Sequence, residues 1–384
     1  MNDAGRVVIV GGGILGTMHA VWARQRGHEV VQLEREADAR GASVRNFGLV
    51  WVSGRAPGRE LELAIRARQR WEQITADVPG VGFRAAGSLT LAAGDAELSL
   101  MKAACALPDA DQRGFELLDQ AATREVNPAL RGEFAGALWC RQDAIVEPRA
   151  AAAALRAHLA ASPGYTWLPG REAVAAAPHA VRDHTGRWHR GDLVVVCSGA
   201  AYTGLAGPHL AAYPVPPLRR VRLQMLQTRP FAGRLTTAVA DGDSMRYYPA
   251  FDLPGRAGLP PQPPVAARTR AQLLLVQRLD GGLTIGDTHE YDEPFAFDVD
   301  EAPYDHLRGR AEQLLGTALP PVRRRWAGVY SQVTTAELYH RSPVAAGVIL
   351  VTGPGGRGMT CSPAIAEESF AGQPAATEPP VLGE

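Results

Sequence analysis

The sequence predicts an α/β fold, α+β overall, in which a Rossmann-like nucleotide-binding domain is interleaved with an antiparallel-sheet substrate domain. Three observations lead to this prediction. A strand, a glycine turn and a helix open the 384-residue chain, and a second such segment begins at 348. The alternating elements at 83–140 lack phosphate-loop glycines. The predicted nucleotide-binding domain comprises 1–80, 143–212 and 320–372, the substrate domain comprises 81–142 and 213–319, and 373–384 is a flexible tail.

The N-terminal segment has the order strand, glycine turn, helix, strand, acid. The apolar run 7–10 precedes a Gly-x-Gly-x-x-Gly motif, and Glu34 ends the second strand. Such a turn lets a pyrophosphate approach the backbone at the helix N-terminus, and the acid accepts hydrogen bonds from a ribose and repels a 2′-phosphate. The segment predicts a site for FAD or NAD rather than NADP. The predicted contacts in the turn are Gly11, Gly13, Ile14, Leu15 and Gly16.

Composition excludes several classes of protein. The 40 basic and 40 acidic residues cancel, which argues against a nucleic-acid or membrane-surface partner. No apolar run approaches the roughly 20 residues of a membrane span, and the chain enters a strand without a secretory signal. The four cysteines form no C-x-x-C pair, so we expect neither a metal site nor a disulfide framework. These features predict a cytoplasmic protein.

Hydrophobic periodicity and turn residues predict the remaining elements in order. Helices are predicted at 57–78, 95–106, 120–126, 150–161, 303–315 and 364–370. Strands are predicted at 83–91, 115–118, 134–140, 192–200, 218–228, 244–249, 271–278, 281–288, 322–333 and 348–352, with a hairpin over 173–190 and a Pro- and Gly-rich loop over 253–270. The strand 322–333 is expected to return to the nucleotide-binding domain.

The loop that follows Glu34 indicates the nucleotide. Ala42-Ser43-Val44-Arg45-Asn46-Phe47-Gly48 combines small residues with a charge and an amide. It resembles the second cofactor loop, often Ala-Ser-x-x-Asn-x-Gly, of the glycine oxidase, sarcosine oxidase and D-amino-acid oxidase superfamily, flavoproteins that oxidise amines. The resemblance implies FAD and a Rossmann-like FAD-binding domain. The implied FAD contacts here, with the acid before them, are Glu34, Arg35, Ser43, Arg45, Asn46, Phe47 and Gly48.

The resemblance continues through nearly the whole chain. It implies that Val174 lies beside the adenosine and that Ser198 and Gly199 close over FAD. The C-terminal glycine loop resembles the segment along the flavin pyrimidine edge, where a helix dipole stabilises negative charge on the reduced ring. The implied contacts in this loop are Gly355, Gly356, Arg357, Gly358, Met359 and Thr360.

The implied reaction transfers a hydride from the carbon next to an amine nitrogen to flavin N5, and the imine then hydrolyses. Two departures from the sarcosine oxidase branch are visible. Arg357 replaces the histidine of its Gly-His-Gly motif, and Thr360 replaces its oxygen-activating lysine. These replacements argue against fast use of oxygen, so the expected acceptor is oxygen or another electron acceptor. The segment 329–331 lacks the branch's flavin-linking cysteine, which predicts non-covalent FAD.

Arginines indicate an anionic substrate, because guanidinium binds carboxylate, phosphate or phosphonate with two hydrogen bonds. The predicted catalytic residues are Arg357, Arg45 and Tyr247, and the predicted substrate-binding residues are Arg246, Tyr248, Arg222 and Arg220. For the strand arginines a solvated face or a structural ion pair is the alternative.

The segments 43–48, 220–225 and 356–360 together resemble a sub-branch of these flavoproteins that is associated with bacterial phosphonate catabolism. That resemblance implies an (N-methyl)aminoalkylphosphonate substrate, and a carboxylate amine such as glycine, sarcosine or a D-amino acid is the alternative. A third possibility is an FAD-binding electron-transfer subunit without a substrate of its own. The sequence leaves the oligomeric state open.

Overall fold

The computed structural model describes residues 5–214 and 217–371, and the predicted tail at 373–384 lies outside them. The strands are β1 (Arg6–Val10), β2 (Glu29–Glu34), β3 (Leu49–Val50), β4 (Ser88–Ala92), β5 (Phe115–Asp119), β6 (Gly136–Cys140), β7 (Ala144–Ile145), β8 (Tyr165–Pro169), β9 (Ala173–Ala177), β10 (Ala180–Asp183), β11 (Trp188–Arg190), β12 (Leu193–Val196), β13 (Leu218–Pro230), β14 (Ala238–Asp241), β15 (Leu274–Gln277), β16 (Gly282–Gly286), β17 (Val322–Val333), β18 (His340–Ala345) and β19 (Val348–Thr352). The helices are α1 (Ile14–Gln25), α2 (Arg59–Ala76), α3 (Asp95–Cys105), α4 (Ala110–Arg113), α5 (Gln120–Val126), α6 (Pro148–Ala160), α7 (Ala206–Ala211), α8 (Ser244–Tyr247), α9 (Pro264–Thr269), α10 (Glu301–Leu315) and α11 (Gly358–Ala371).

A six-stranded sheet in the order β18-β19-β12-β1-β2-β8 carries the N-terminal motif. Its strands are parallel except for the edge strand β18. The central strands are apolar on both faces, as expected for a parallel sheet covered on both sides. Val7 and Ile9 pack with α1, α2, α6 and α11, whereas Val8 packs with the three-stranded sheet β11-β10-β9 and α7.

The second large sheet has eight strands in the order β17-β13-β16-β15-β14-β4-β6-β5. Its pairs are antiparallel except for β14 with β4. One face is covered by α10, whose Tyr304, Leu307 and Leu314 pack with Leu226 and Ile285. The chain leaves and re-enters both sheets several times, so the predicted mixed α/β fold with an antiparallel partner sheet is confirmed.

Several predicted elements differ from the structure, among them the predicted loop 253–270, in which Pro264–Thr269 form α9. The strand 322–333 pairs with β13 along its length and therefore belongs to the eight-stranded sheet, not to the parallel one. The segment 244–249 forms α8 and a 3₁₀ turn rather than a strand, because Gly242 and Asp243 accept turn hydrogen bonds from Met245 and Arg246. Helix α11 begins at Gly358, six residues before the predicted start at 364, and contains Pro363.

Helices within 5–214 and 217–371 are all too short or too polar to cross a bilayer.

Candidate active site

A cleft of about 1130 Å³ opens where the carboxyl ends of the parallel strands face the eight-stranded sheet. Val10, Glu34 and Val196 line it from the ends of β1, β2 and β12. Leu223 and Met225 line it from β13 on the opposite side. Ligands of open α/β sheets bind at this edge because the loops and helix N-termini converge there.

The glycine turn at one end of the cleft leaves no space for side chains. Gly11 has φ +110°, and a Cβ there would lie 2.4 Å from the Cys197 carbonyl oxygen. A Cβ on Gly16 would lie 2.2 Å from the Gly11 carbonyl oxygen. Gly13 is the N-cap of α1 and has no side chain to cap it. The helix N-terminus therefore faces the cleft with its backbone close to any bound phosphate.

Two side chains shape this cradle further. The Glu34 carboxylate accepts hydrogen bonds from the backbone N–H of Gly12 at 2.7 Å and of Glu36 at 3.0 Å. The Ser43 hydroxyl accepts one from the N–H of Ile14 at 2.8 Å, which joins the second loop to the start of α1. The predicted nucleotide turn and the predicted second loop are thus one continuous wall.

The second loop is held by its asparagine. The Asn46 side-chain amide donates to the carbonyl oxygens of Ala42 and Ser43 at 2.8 and 3.0 Å, and its oxygen accepts from the N–H of Gly48 at 2.7 Å. These bonds stabilise the tight loop that includes the 3₁₀ turn Ala42–Val44 and the residues after it. They explain why an asparagine follows Arg45 at this position.

At the other end of the cleft lies a charge cluster of Arg55, Glu60 and Arg357, which all line it. One Glu60 carboxylate oxygen lies 3.5 Å from Arg55 Nη1 and 3.7 Å from Arg357 Nη1. Arg55 and Glu60 are buried, and Arg357 is 17% exposed. Two guanidinium groups share one carboxylate, so the cluster has a surplus positive charge. Neither Arg55 nor Glu60 was predicted from the sequence.

An aromatic wall of Tyr247, His289, Tyr291 and Tyr330 faces the same end. The Tyr247 and His289 rings stack with centroids 4.0 Å apart, and the Tyr247 hydroxyl lies 3.2 Å from that of Tyr330. Burial, partly offset by a hydrogen bond with the Arg270 backbone, lowers the pKa of His289 to about 4, so its ring is neutral near pH 7. Burial also raises the pKa values of both hydroxyls.

Sequence comparison identifies the family. The family described as "FAD dependent oxidoreductase" (DAO) matches residues 6–369. The chain belongs to this family. Its cofactor is therefore FAD, and the protein is an FAD-dependent oxidoreductase.

Individual relatives are more distant. An opine oxidase subunit from Rhizobium meliloti is 31% identical over 149 residues, which are 36% of this chain and 40% of that relative. The chain thus spans less than half the length of this curated relative. The structure of glycine oxidase from Geobacillus kaustophilus has a TM-score of 0.73 at 21% identity, covering 94% of this oxidoreductase and 93% of that chain. That of L-proline dehydrogenase from P. horikoshii has a TM-score of 0.77 at 19% identity, covering 97% and 95%.

The residues of the cleft fit FAD. Five buried polar atoms of residues that line it have no hydrogen-bond partner within the described residues: Trp51 Nε1, Ser198 Oγ, Gln272 Oε1, one Glu60 oxygen and Arg357 Nε. Unsatisfied buried groups are costly, so their presence along one cleft indicates that a polar ligand satisfies them. The glycine cradle and Glu34 lie at one end of this cleft and the loop 355–359 lies at the other.

Most of the predicted site residues of the oxidoreductase line this cleft. They are Gly11, Gly13, Ile14, Leu15, Gly16, Glu34, Arg35, Ser43, Arg45, Asn46, Phe47, Ser198, Gly199, Arg220, Arg246, Tyr247, Tyr248, Gly355, Gly356, Arg357, Gly358 and Met359. The predicted FAD contacts at the glycine turn and in the loop 355–359 thus line one cleft, and their contacts with FAD stay predictions.

Three predicted cofactor contacts are not among the lining residues. Val174 is 39% exposed on β9. Gly48 packs against the Val146 carbonyl oxygen, which a Cβ would approach to 2.1 Å. The buried Thr360 hydroxyl donates to the Leu49 carbonyl oxygen and accepts from the Trp51 N–H at 2.9 Å, so it supports the cleft floor from behind.

Arg222 is not at the cleft, contrary to the prediction. It is 4% exposed, lies 3.3 Å from Glu290 and donates to the carbonyl oxygens of Ala296 and Asp298. The alternation of β13 correctly placed it on the same strand face as Arg220, but the segment around 290–298 covers that face at Arg222.

Two other predicted arginines line the cleft but are already paired. Arg220 donates two hydrogen bonds to Glu293, and Arg246 pairs with Asp243 at 2.9 Å. Arg45 lines the cleft and donates to the Ala327 carbonyl oxygen at 3.2 Å. Arg220, like Arg222, is therefore in a structural ion pair, the alternative that the sequence left open for the strand arginines.

Proposed function

We propose that this oxidoreductase uses FAD to oxidise a CH–NH bond of a small amine that carries an anionic group. The names of its relatives supply the substrate class, since glycine oxidase and L-proline dehydrogenase are named for amino acids and the curated relative for opines. A FAD-binding electron-transfer subunit without its own substrate would need no anion site beside the cofactor loop.

The charge cluster is the observation that carries the proposal. Arg55 and Arg357 together hold two positive charges against the single negative charge of Glu60. A surplus charge in a partly desolvated site is stabilised by a bound anion. Arg357 also has an Nε without a partner among the described residues and lies in the loop predicted at the flavin edge. An anion on Arg357 would place the rest of a small substrate near that edge.

The aromatic wall completes the substrate chamber. Its tyrosine hydroxyls donate hydrogen bonds to the substrate, and its stacked rings exclude water from the reacting carbon. FAD bound in the cleft would supply the two-electron oxidant, because the hydride carries both electrons. The imine that remains is hydrolysed to a carbonyl compound and an amine. We propose that FAD is held non-covalently, because none of the four cysteines lies on the segment 329–331.

The number of arginines that are free to bind the substrate anion distinguishes a carboxylate substrate from a phosphonate substrate. The cluster alone matches a monoanionic carboxylate, as in sarcosine or glycine. A dianionic phosphonate, as in an (N-methyl)aminoalkylphosphonate, needs a second cation, and Arg45 is the candidate because it forms no ion pair within the described residues and lines the cleft. The pairing of Arg220, Arg222 and Arg246 with carboxylates removes the other cations counted for the phosphonate.

Anaerobic mixing tests the proposal directly. The purified protein is mixed with N-methyl-aminoethylphosphonate, aminoethylphosphonate, sarcosine or glycine, and the flavin absorbance band is followed. Bleaching by any of them supports amine oxidation, and the compound effective at the lowest concentration identifies the anion. Failure of all four, together with failure of opines and other N-substituted amino acids, would contradict the proposal and favour the electron-transfer subunit. Admitting air afterwards shows whether oxygen is the acceptor.

Arginine variants test which cation binds the anion. Arg357→Met removes a hydrogen-bonded charge worth about 1.5–3 kcal/mol, so the concentration for half-maximal bleaching should rise about 10- to 100-fold for either anion. Arg45→Met should produce a rise of that size with phosphonates but not with carboxylates. Arg323→Met is the matched control, because Arg323 is exposed and paired with Asp280. Unchanged affinity in Arg357→Met would remove Arg357 from the anion site.

A further inference from the structure

A buried carboxylate faces the substrate end of the cleft and has no role in the function described so far. Asp287 follows the last residue of β16, is 6% exposed and lines the cleft. Its main-chain N–H and C=O exchange hydrogen bonds with Gln272 at 2.8 and 3.0 Å, which fixes the backbone at the sheet end. The backbone that carries the side chain is therefore held in place directly after β16.

Neutral groups surround this carboxylate. The Gln272 side-chain amide donates to one oxygen at 3.3 Å, and within the described residues Asp287 takes part in no ion pair. The titratable groups that feel its charge are Tyr247, Tyr248 and Tyr291 and, from β17, Tyr330. No arginine neutralises it, although the charge cluster lines the same cleft. A buried carboxylate of this kind is costly unless a cation or a proton meets it.

An amine substrate would supply Asp287 with both a cation and a proton. Near pH 7 an alkylamine is an ammonium ion, and its nitrogen has no lone pair to support loss of hydride from the neighbouring carbon. The substrate must lose that proton before oxidation. We propose that Asp287 binds the substrate ammonium group and accepts its proton, an inference that rests on the proposed amine oxidation. The N–H bond breaks with its electron pair left on nitrogen, an O–H bond forms on Asp287, and the hydride then leaves carbon with two electrons for FAD.

Other groups near the cleft are less suited to this role. The tyrosines hold their protons, because burial raises the pKa values of their hydroxyls. Glu60 is engaged by two guanidinium groups. His289 Nδ1 lies 3.2 Å from the Arg270 carbonyl oxygen, which uses one ring nitrogen as a donor. With the anion on Arg357 and the ammonium on Asp287, the cleft would bind a zwitterionic amine at both ends.

Burial raises the pKa of Asp287 to about 7 in the absence of substrate. The carboxylate is then the predominant form above about pH 7, and the protonated acid below it cannot accept a proton. The efficiency of flavin bleaching by an amine should therefore increase as the pH rises through about 7 and then level off.

The test compares the wild-type holoprotein with D287N, which exchanges the carboxylate for an amide of equal size. Anaerobic rapid mixing with the amine that bleaches the wild-type flavin at the lowest concentration is carried out from about pH 6 to about pH 10. In D287N we expect the rise near pH 7 to disappear and the efficiency at pH 7 to fall about 100-fold, the usual contribution of a positioned base. The efficiency should then increase with the free amine fraction up to the pKa of the amine, about 10.

Two further variants keep the result interpretable. D241N removes another buried carboxyl whose pKa burial raises to about 7, and it is absent from the cleft lining, so its pH profile should match the wild type. D287E returns a carboxylate and should restore the rise near pH 7 even if D287N retains FAD poorly. Superimposable pH profiles of wild type and D287N would overturn the role of Asp287 while amine oxidation stands. Wild-type flavin that no amine bleaches would overturn both.

Discussion

Gly16 is the position at which the nucleotide cradle has least room. A Cβ there would lie 2.2 Å from the Gly11 carbonyl oxygen and 3.3 Å from Ile9 Cγ2, and the first of these atoms belongs to the backbone. Because the Gly11 backbone is held by its N–H bond of 2.7 Å to the Leu33 carbonyl oxygen, the turn and α1 must separate to accept a methyl group. We expect Gly16→Ala to be purified with little FAD and to lose about 1–3 kcal/mol of unfolding free energy. Flavin absorbance per protein and urea unfolding measure the two effects.

Gly309→Ala is the matched control, because it places the same methyl group inside α10 with no atom within 4 Å. Alanine is the better helix former, so this variant should keep its FAD and gain up to about 1 kcal/mol. A yellow Gly16→Ala protein with wild-type FAD content would contradict the need for close helix packing at the cradle.

Some residues of the candidate site can be recognised from a short sequence motif, and others cannot. Gly11, Glu34 and Ser43 line the cleft, and contiguous motifs predict them as FAD contacts, since each role is set by the neighbouring backbone. Arg55 and Asp287 carry no such signal, since only the tertiary fold brings them to the same cleft. An isolated arginine or aspartate in a sequence is most often a solvated surface residue.

At the scale of elements, α2 and α11 are joined by one unusual hydrogen bond. Pro363 lies inside α11 and has no N–H, so the helix leaves the Met359 carbonyl without its i+4 donor. The fully buried Trp71 indole N–H donates to this oxygen at 3.0 Å and to that of Thr360 at 3.2 Å. Trp71→Phe should leave the Met359 carbonyl oxygen with only a longer hydrogen bond of 3.4 Å from the Ser362 hydroxyl and lower the unfolding free energy by about 2 kcal/mol, measured by urea denaturation.

The same exchange at Trp22 separates the hydrogen bond from the loss of ring volume. Trp22 Nε1 is buried without a hydrogen-bond partner in the described part of the chain, and Arg26 and Arg70 lie over its ring. Trp22→Phe breaks no hydrogen bond and retains an aromatic face, so it should cost less than about 1 kcal/mol. Equal losses in the two variants would show that ring volume, and not the bond to Met359, stabilises the helix pair.

The limits of amphipathic or capped elements were predicted to within a few residues. The errors lie in segments where glycine, proline or aromatic residues suggest the wrong type of element. The helix at Gln120–Val126 was predicted with its observed limits, and Asp119 caps it through the N–H of Ala122 at 2.8 Å. Gly358 and Pro363 suggested a loop, whereas burial between α1 and α2 makes the segment helical. The residues 244–249 have a high strand propensity, but turn hydrogen bonds to the carbonyl oxygens of Gly242 and Asp243 make the segment helical.

At the scale of the whole molecule, the sequence predicted two sheets but not how the chain distributes its strands between them. Pairing partners of distant strands depend on register and on which edge is free, and neither is visible in a single sequence. The long strand β17 illustrates this, since its apolar pattern suits either sheet and only its pairing with β13 decides between them. The division of the chain into the two predicted domains remains a proposal at its boundaries.

The stability of the whole protein should depend on pH through the buried His19, which connects the first and last helices. Its ring lies 2.7 Å from the Leu15 carbonyl oxygen and 2.9 Å from the Ser369 hydroxyl, and burial lowers its pKa from 6.5 to about 4, with a smaller contribution from Arg341. Between these values the unfolded chain binds a proton that the folded protein does not, so stability is complete above pH 6.5 and decreases as the pH falls towards 4. The full difference of about 3 kcal/mol should be absent from His19→Gln, whose amide does not titrate. Urea unfolding of both proteins at several pH values measures it, and parallel pH curves would mean that His19 titrates normally in the fold.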